Sequence, residues 1–530
     1  MTYRRKRCSI VNVSTYIEMC VIPATDMTEE GFLTRFSAEL RREEMELLSK
    51  ARTGKKERPV KVLQFGEGNF LRGFVDYMID IANEKGKFDG DIVLVKPIEF
   101  GTLDRFRAQE AQYTVSLRGI VDGEAAVQNR IVTSVTDVTA AYEEYEKYSA
   151  FARLDTLRYI VSNTTEAGIV YDEDDRLELC PPRSFPGKLA KFLYERYLHF
   201  EGAIDKGLVM LPVELIDDNG IRLKECVLKQ ADNWNLEEEF KSWLNEACIF
   251  CSTLVDRIIT GYPGEEDERL WAEWGYRDEL IVTGEPFALW VIECPRDISG
   301  EFPLDAAGLP VIYTDNQKPY KQRKVRILNG AHTSFVLASF LAGNDIVLES
   351  MEDETIFRFM KETIYDEVIP TLTLPKKELC DFAEAVIARF HNPYVKHALL
   401  SIALNSVSKW RARCMPSFLE YIEMNGRLPG RLTFSLAALM AFYKGTEIRD
   451  KALIGHRDGQ EYRIMDDMPV LEFFAANSGK PSAQLAQSFL GNEEFFGQDL
   501  TRIEGLVEEV AAYLDEIADQ GMRKTLEKRF

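Results

Sequence analysis

The first strong hydrophobic pattern in the chain is a short apolar strand followed by a glycine turn and a helix. The stretch VKVLQF at 60–65 is apolar enough for a buried strand. Gly66 and Gly68 follow at once, and over 69–82 large apolar residues recur every three or four positions. The pattern therefore predicts strand, turn and helix in direct succession.

Further apolar strands alternate with helical stretches through the first half of the chain. Strand-like runs occupy 91–97, 158–163 and 207–216, and a helical pattern covers 185–200. Strands that are apolar throughout and alternate with helices are typical of a parallel sheet covered on both faces. We expect an α/β Rossmann-type doubly wound sheet domain in this half.

Long amphipathic helices replace this pattern from about residue 320 onward. The stretch 501–521 carries one apolar stripe and ends at a glycine. Prolines and glycines cluster within 295–320, where we place the boundary between domains. The predicted organisation is an N-terminal extension over 1–58, partly helical or flexible, a Rossmann-like dinucleotide-binding domain over 59–305, and an all-α substrate and catalytic domain over 306–530.

Composition and charge exclude several classes of partner. The chain is 45% hydrophobic and 29% charged, as ordinary globular proteins are. Its 65 Lys and Arg against 87 Asp and Glu give a net charge of −22 without any basic stripe, so neither nucleic acid nor an anionic membrane is an expected partner. The most apolar run, at 432–443, is too short for the roughly 20 residues of a membrane span and is expected to be a buried helix.

Cysteine usage and the N-terminus indicate a cytoplasmic protein. The nine cysteines are scattered from Cys8 to Cys414, which suits a reducing compartment. Cys248 and Cys251 have the CxxC spacing of a redox or zinc site, but no second pair completes four ligands, so two buried helical thiols are the favoured interpretation. Residues 1–26 lack the clean apolar core of a signal peptide, and we expect a flexible or over-annotated extension there.

The glycine turn after the first strand is a candidate dinucleotide site. Glycines at such a turn let backbone N–H groups and the positive end of a helix face a pyrophosphate. The match to GxGxxG is imperfect because Leu71 stands at the third glycine position, and glycine turns without a ligand are also common. Lys96, after the next strand, indicates either a 2′-phosphate, and hence NADP, or a solvated strand end, which we favour.

A lysine, an asparagine and a histidine interrupt the apolar helical stretch KVRILNGAH at 324–332. With about 100° of rotation per residue, Lys324, Asn329 and His332 project from one side of an α-helix. A lysine beside apolar walls can exchange protons near neutral pH, and an asparagine amide can stabilise a ketone oxygen as it becomes negative. The three residues are a candidate ketone-reduction site. The alternative is a snorkelling lysine, a satisfied core histidine and an asparagine in the first turn of a helix.

Several segments together resemble one enzyme family. These segments are FGEGNFLRGFVD, SNTTEAGI, STLVDRI and, above all, the spacing of Lys324, Asn329 and His332. From about residue 59 to the C-terminus the chain is similar to the polyol-specific long-chain dehydrogenase/reductase family, also called the mannitol dehydrogenase family.

The resemblance implies roles for particular residues. Lys324 would be the general acid/base, Asn329 would polarise the keto oxygen, and His332 would belong to the same hydrogen-bonded site. It also implies an oxidoreductase that uses NAD, with NADP less expected, and no metal. The cofactor contacts implied by the motif are Phe65, Gly66, Gly68, Asn69 and Phe70, and Asp256 and Lys409 match positions of the substrate pocket.

Family members that act on sugar acids are similar in further segments, which include ELIDDNG, VDRIITGYP, NPYVKH and RLTFSLAALMAFYKG. A substrate carboxylate calls for a cation, ideally an arginine. Where the family has a second oxyanion-binding asparagine, this chain has Leu215, with Glu214 beside it. The candidate cations are Lys409, Arg411, Arg413, Arg389, His391, Lys396 and His397, of which we select Lys409 and Arg413 as substrate-binding residues.

Three alternatives to a sugar-acid dehydrogenase of this kind stay open. The enzyme could act on a different uronate such as fructuronate, or on an uncharged polyol such as mannitol. A third alternative is a nucleotide-binding protein without activity, although Lys324, Asn329 and His332 are all present. The expected partner is a small-molecule sugar acid, and the chain is expected to be a monomer or a homo-oligomer.

Overall fold

The structure, a computed structural model, describes residues 45–121, 123–165 and 167–530. Contacts divide the described residues into a small unit, which includes 45–48 and Gly264–Asp278, and a large one that holds the rest. Within its described residues the small unit has a parallel bridge between Leu47 and Arg277 and the helix Asp267–Trp274. Most of the predicted N-terminal extension, residues 1–44, and Glu166 of the SNTTEAGI segment lie outside the described residues.

The strands of the first half of the large unit are β1 (Val60–Phe65), β2 (Asp91–Lys96), β3 (Tyr113–Val121), β4 (Glu124–Val132), β5 (Val135–Ala140), β6 (Tyr159–Ser162), β7 (Val209–Pro212) and β8 (Ile249–Phe250). Six of them form a parallel sheet in the order β5-β2-β1-β6-β7-β8, while β3 and β4 belong to a separate sheet. The order of the six strands, with crossovers on both sides of β1, is that of a doubly wound sheet and confirms the predicted fold class.

The strands of this sheet are mostly apolar because both faces are covered. In β1, Val62 packs into the core on one face, while Leu63 and Phe65 pack into the core on the other. Alternate side chains of a strand point to opposite faces, so a sheet with two cores needs apolar residues on both faces of its strands. The helices of this half are Lys50–Thr53, Asn69–Leu71, Tyr77–Glu84, Asp104–Ala108, Tyr145–Ala150, Phe185–His199, Asn219–Asn233 and Glu238–Glu246, with a π-helical turn at Arg72–Asp76.

Two smaller sheets follow the parallel sheet. Their additional strands are β9 (Ser252–Asp256), β10 (Ile259–Gly261), β11 (Val282–Gly284), β12 (Leu289–Glu293) and β13 (Val311–Thr314). One sheet has the order β10-β11-β3-β4 and the other β13-β12-β9. Since β13 pairs in parallel with β12, strand pairing continues past residue 305, where we placed the domain boundary.

The second half is mostly helical and has one continuous hydrophobic core. Its helix Gly430–Phe442 contains the predicted buried apolar run, and among the described residues no helix is long and apolar enough to cross a membrane. The helices are Lys318–Arg323, Gly330–Leu341, Val347–Glu352, Glu354–Glu362, Lys376–Phe390, Leu399–Ile402, Ser406–Arg413, Met415–Asn425, Gly430–Phe442, Met468–Asn477, Ser482–Leu490, Glu493–Phe496, Leu506–Gln520 and Met522–Arg529, with π-helical turns at Lys324–Asn329 and Thr363–Val368.

A small antiparallel sheet interrupts the helices of this half, which differs from the all-α expectation. It consists of β14 (Ile448–Arg449), β15 (Ala452–Arg457) and β16 (Gln460–Ile464). Asp458 and Gly459 connect β15 to β16 with φ angles of 52° and 78°. An Asp-Gly pair with positive φ is the preferred two-residue hairpin turn, so this local signal in the sequence was missed.

One buried carboxyl group lies in the core of the six-stranded sheet. Asp76 is fully buried, and its Oδ2 accepts a hydrogen bond of 2.7 Å from the Tyr113 hydroxyl. Asp76 Oδ1 and the neighbouring Gln64 Oε1 have no hydrogen-bond partner among the described residues. Burial raises the pKa of Asp76 to about 7, because the charged carboxylate is poorly solvated there.

We predict that Asp76→Asn removes a pH dependence of folding. Because the folded-state pKa is raised above the unfolded value of about 3.9, the stability contributed by the neutral acid is full below pH 4 and is lost as the pH rises to about 7. An asparagine keeps the bond from Tyr113 and cannot ionise. The melting temperature of the variant should therefore rise relative to wild type between pH 5 and pH 8. Asp519→Asn, which changes an exposed carboxylate, is the control and should follow wild type across this range. The prediction would be contradicted if the difference in melting temperature between Asp76→Asn and wild type did not change with pH.

Candidate active site

The glycine turn after β1 is shaped by two different requirements. Gly66 has a φ of +122°, which side chains rarely adopt, and a Cβ there would meet Leu71 Cδ1 at 3.0 Å and Asn163 O at 3.3 Å. Gly68 has an ordinary extended conformation, and a Cβ there would meet no atom within 4 Å. Gly66 is therefore needed for the turn itself, whereas Gly68 leaves the space beside the first helical turn open.

An open cleft of about 810 Å³ lies beside this turn. It is formed where β1, β2 and β6 end, which is the edge at which doubly wound sheets bind their ligands. Its volume lies within the usual range for small-molecule sites, and its glycine backbone can approach a pyrophosphate, so the residues present fit a nicotinamide dinucleotide. The lining includes Gly66, Glu67, Gly68, Pro97, Ile98, Asn163, Thr164, Thr165, Gly168, Arg183, Ser184 and Lys188.

The five residues predicted to contact the cofactor do not all face this cleft. Gly66 and Gly68 line it. The Phe65 side chain is fully buried and packs against Phe185, so only its backbone lies near the turn. Asn69 Oδ1 accepts a 2.6 Å hydrogen bond from Arg72, and Phe70 stacks on Phe74 with ring centroids 5.1 Å apart. Phe65, Asn69 and Phe70 thus stabilise the turn and the helix behind it.

Lys96, at the end of β2, is neither a solvated strand end nor a free cation. Its side chain is 2% exposed, and its ammonium group donates to Glu143 Oε1 at 2.7 Å. It also lies 3.1–3.4 Å from the backbone carbonyls of Glu99, Phe100 and Gly101. Four acceptors surround three N–H donors, so Lys96 organises the loop at the cleft and has no donor left for a ligand.

Lys324 begins a π-helical turn, Lys324–Asn329, that continues as the α-helix Gly330–Leu341. The sequence pattern predicted a regular α-helix here. A π-turn makes i→i+5 hydrogen bonds and is frequent at functional sites, and Lys324 and Asn329 are five residues apart. The local winding therefore stacks these two residues more directly than an α-helix would.

The Lys324 ammonium group is held by the end of β9. Its Nζ donates to Val255 O at 2.7 Å and lies 3.8 Å from Asp256 Oδ1, with 16% of the side chain exposed. Burial lowers the pKa of Lys324, and the Asp256 carboxylate opposes this effect. The lysine is thus desolvated, partly accessible and beside one carboxylate, as a proton donor and acceptor should be.

His332 lies in an aromatic and cationic environment. Its ring stacks on Phe390 with centroids 4.3 Å apart and meets His397 edge-on at 5.5 Å. Burial lowers the pKa of His332 well below its usual range, and His397 and Arg389 add to the effect, so the imidazole is neutral. Its buried Nε2 has no hydrogen-bond partner among the described residues, which does not fit a satisfied core histidine.

A buried ion cluster joins the strands to the helical half beside Lys324. The Arg389 guanidinium binds Asp256 through two hydrogen bonds of 3.1 and 3.0 Å. It also binds Glu285 through two of 2.9 and 2.8 Å, and packs on Phe287 at 4.3 Å. Arg389 thus fixes the two carboxylates that are buried next to the lysine. With two cations, Arg389 and Lys324, and two carboxylates, the charges of the cluster sum to zero.

Lys409 and Arg413 project from one face of the helix Ser406–Arg413, four residues apart. Lys409 Nζ donates to Ile402 O at 2.9 Å, and Arg413 Nη1 lies 3.4 Å from Thr333 Oγ1, one residue after His332. Burial lowers the pKa of both groups. Neither forms a salt bridge with a carboxylate in the part of the chain that the structure describes, so both remain available to an anion.

Close packing brings this helix against the π-turn segment. A Cβ on Gly330 would lie 3.3 Å from Arg413 O, which is closer than most Cβ contacts, so glycine suits this approach of the two backbones.

The other candidate cations differ in their surroundings. Arg389 is neutralised by two carboxylates, and Arg411 and Lys396 are exposed.

Sequence reasoning missed two features of the site. Glu285 was not singled out, although a lone acid within the apolar stretch VTGEPFALW was a usable signal. Arg389 was considered only as a candidate for the substrate carboxylate, because its partners lie 133 and 104 residues away in the chain. Long-range ion pairing of this kind leaves no periodic pattern in the sequence.

The CxxC cysteines, Cys248 and Cys251, are buried structural residues of the parallel sheet. Among the described residues, no group of three or more His, Cys, Asp or Glu side chains could hold a metal ion. Cys248 and Cys251 are both buried, as expected. They flank the short strand β8 and are not helical, because the segment completes the edge of the parallel sheet.

The fold and the site define the class of protein: a dehydrogenase with a Rossmann-type half for a dinucleotide and a helical half that brings a lysine to the end of a strand. Comparison with known proteins supports this assignment. Residues 60–305 match the family model of the mannitol dehydrogenase Rossmann domain, and residues 316–518 match that of the mannitol dehydrogenase C-terminal domain. The chain therefore belongs to the mannitol dehydrogenase family, oxidoreductases that act on a CH–OH group, which confirms the resemblance seen in the sequence.

Curated relatives and solved structures extend the comparison. Altronate oxidoreductase of Pectobacterium atrosepticum is 45% identical over 490 residues, which cover 91% of this chain and 99% of the relative. That of Yersinia enterocolitica is 45% identical over 472 residues, 88% of this chain and 96% of the relative. A ternary complex of Pseudomonas fluorescens mannitol 2-dehydrogenase with NAD and D-mannitol is 22% identical with a TM-score of 0.63, covering 91% of this chain and 99% of that one. Substrate-free D-sorbitol dehydrogenase is 21% identical with a TM-score of 0.74, covering 91% and 100%.

We predict that Asp256→Asn lowers the pKa of Lys324 further, because removal of the carboxylate leaves the effect of burial unopposed. The rate of Lys324 acetylation as a function of pH, followed by peptide mass spectrometry, should move toward lower pH. Lys377, an exposed residue paired with Asp381, provides an internal reference that should not move. An unmoved Lys324 profile in a folded variant would contradict the prediction.

Proposed function

We propose that this chain catalyses the NAD-dependent interconversion of D-tagaturonate and D-altronate, a keto sugar acid and its alcohol. The observation that carries the proposal is the desolvated Lys324 beside Asp256, with two half-buried cations, Lys409 and Arg413, that lack a carboxylate partner among the described residues. The names of the 45% identical relatives support the choice of substrate.

Lys324 acts as the general acid in the reduction of the ketone. Its ammonium group donates a proton to the carbonyl oxygen as negative charge develops there, and its lowered pKa makes the neutral amine a usable base for the reverse reaction. Val255 O holds the ammonium group, and Asp256 stabilises its charged form. A bound nicotinamide dinucleotide supplies the hydride for reduction and accepts it for oxidation.

Asn329 and His332 complete the polar side of the substrate pocket. The side-chain amide of Asn329 has no hydrogen bond to another described residue, so it can donate to the substrate oxygen, where a preorganised donor stabilises the transition state. The neutral His332, with a bare Nε2, can accept a hydrogen bond from a substrate hydroxyl or from Lys324.

Lys409 and Arg413 bind the substrate carboxylate. A bound anion compensates part of the solvation free energy that a half-buried cation has lost. An arginine can also form two parallel hydrogen bonds to a carboxylate. Arg413 lies beside Thr333, the residue after His332, and the charges of Arg413 and Lys409 both contribute to the lowered pKa of His332. The carboxylate end of the substrate then lies on the helical side of the pocket.

The dinucleotide is NAD and not NADP. A 2′-phosphate at the adenosine ribose, near the end of β2, would need a free cation there. Lys96 is the cation at this position, and its donors are already used by Glu143 and by three backbone carbonyls. We therefore expect turnover with NADH to exceed turnover with NADPH.

We predict that the purified protein oxidises NADH in the presence of D-tagaturonate and that Lys324→Ala lowers kcat by about 10²–10⁴-fold, the contribution of a positioned acid/base group. Absorbance of NADH measures the rate, and NADPH, D-fructuronate and D-fructose are tested in parallel. Lys321→Ala, three positions earlier and paired with exposed Asp217, is the matched control and should keep full activity.

The outcomes separate the alternative functions. Turnover with fructuronate alone would change the uronate assigned, and turnover with fructose would indicate a mannitol-type enzyme. Dinucleotide binding without turnover of any ketone would indicate a protein that has kept the fold and lost the activity. Equal activity of wild type and Lys324→Ala would remove Lys324 from the reaction.

We predict that Arg413→Ala raises the KM for the uronate by about 10–100-fold, the loss expected when one charge-assisted contact to a carboxylate is removed. An uncharged ketose, if turned over at all, should show no comparable change. Arg411→Ala, two residues away on an exposed face of the same helix, serves as the control. A uronate KM that is the same in both variants would exclude Arg413 from carboxylate binding.

A further inference from the structure

Two cysteines from different strands lie in contact at one end of the β9–β12 pair. Cys251 directly precedes β9 and Cys294 directly follows β12, and extending the antiparallel register one position beyond Ser252 and Glu293 places them opposite each other. Their Sγ atoms are 2.6 Å apart. Opposite residues of antiparallel strands have Cα atoms about 4.5–5.5 Å apart, within the range that a disulfide spans. The backbone is therefore already arranged for a bond between the two sulfur atoms.

The two thiols differ in access to solvent. Cys251 is fully buried in the core on one face of the parallel sheet. Cys294 is half-buried and lines an open hollow of about 470 Å³, together with Arg296 and Tyr313. A small oxidant can thus reach Cys294 from solvent, whereas Cys251 is reached only through its partner.

The CxxC spacing points to a different pair, which the fold separates. Cys248 and Cys251 are three residues apart along an extended segment, so their side chains point to opposite faces of the sheet. Cys248 packs into one hydrophobic core and Cys251 into the other. The partner of Cys251 is therefore Cys294, 43 residues further along the chain.

We propose that Cys251 and Cys294 form a reversible redox site that a hydroperoxide oxidises to an intramolecular disulfide. The Cys294 thiolate attacks the peroxide, the O–O bond breaks, and Cys294 becomes a sulfenic acid while hydroxide leaves. The Cys251 sulfur then attacks the sulfenic sulfur and the S–O bond breaks, so that water leaves and the S–S bond forms. Two thiols and one hydrogen peroxide give one disulfide and two water molecules. A dithiol reductant reverses the change by thiol–disulfide exchange.

The position of the pair determines what the bond would connect. The Cys251 N–H donates to Met210 O of β7 at 3.0 Å, and the Cys294 N–H donates to Thr314 O of β13 at 3.1 Å. The bond would join the six-stranded sheet to the strand that leads into the Lys324 helix. It would restrict the unfolded chain and hold the start of β9, which ends at Asp256.

The test uses the purified full-length protein, treated with hydrogen peroxide, alkylated at its remaining thiols and digested without reduction. Mass spectrometry should find the peptides of Cys251 and Cys294 linked in most molecules and separated again by dithiothreitol. The oxidised protein should melt at least about 2 °C higher than the reduced one. Both effects should disappear in Cys294→Ser, with Cys294→Ala as a second variant if the first does not fold, and should persist in Cys180→Ser, which changes an exposed thiol.

Three results would overturn the proposal. The first is separate alkylation of Cys251 and Cys294 after peroxide treatment that oxidises Cys180. The second is a link from Cys251 to Cys248 or to a cysteine in the first 44 residues. The third is a linked pair in wild type whose melting temperature does not differ between the oxidised and reduced forms.

Discussion

The arrangement of the candidate active site depends on keeping one lysine ammonium group partly out of water. Lys324 is held by Val255 O and faces Asp256, while Arg389 binds Asp256 together with Glu285. Two cations and two carboxylates compensate one another in a place where a single buried charge would be costly. The same cluster joins the strands of the first half to the helices of the second. The same ion cluster therefore holds the lysine in position and stabilises the junction of the two halves.

Local departures from regular helix geometry occur at both functional segments. A π-turn at Arg72–Asp76 lies in the helix that follows the glycine turn, and another at Lys324–Asn329 carries the lysine and the asparagine. An extra residue in a helical turn changes which side chains are neighbours without ending the helix. At the second segment the wider turn brings residues five apart closer to one face of the helix than an α-helical turn would. Gly330 then allows the helix that carries Lys409 and Arg413 to approach closely.

The cations of the candidate site differ in whether a carboxylate pairs with them. Arg389 forms salt bridges with two carboxylates and so has a structural role. Lys409 and Arg413 form no salt bridge with a carboxylate among the described residues, although burial makes their charged forms less stable. A neutral polyol would leave them unsatisfied, whereas a sugar acid would compensate them. This difference is the physical basis for proposing a uronate among the possible substrates of the family.

The sequence by itself determined the fold class, because mostly apolar strands that alternate with helices are typical of a parallel sheet covered on both faces. It also identified the glycine turn, and the spacing of Lys324, Asn329 and His332 indicated the family. Only the tertiary structure decided which cations are paired, that Lys96 has no free donor, and that Cys251 faces Cys294 and not Cys248. Each of these depends on contacts between residues that are far apart in the chain or on the face to which a strand directs a side chain. Strand register and helix packing set such contacts, and neither is encoded in a local sequence pattern.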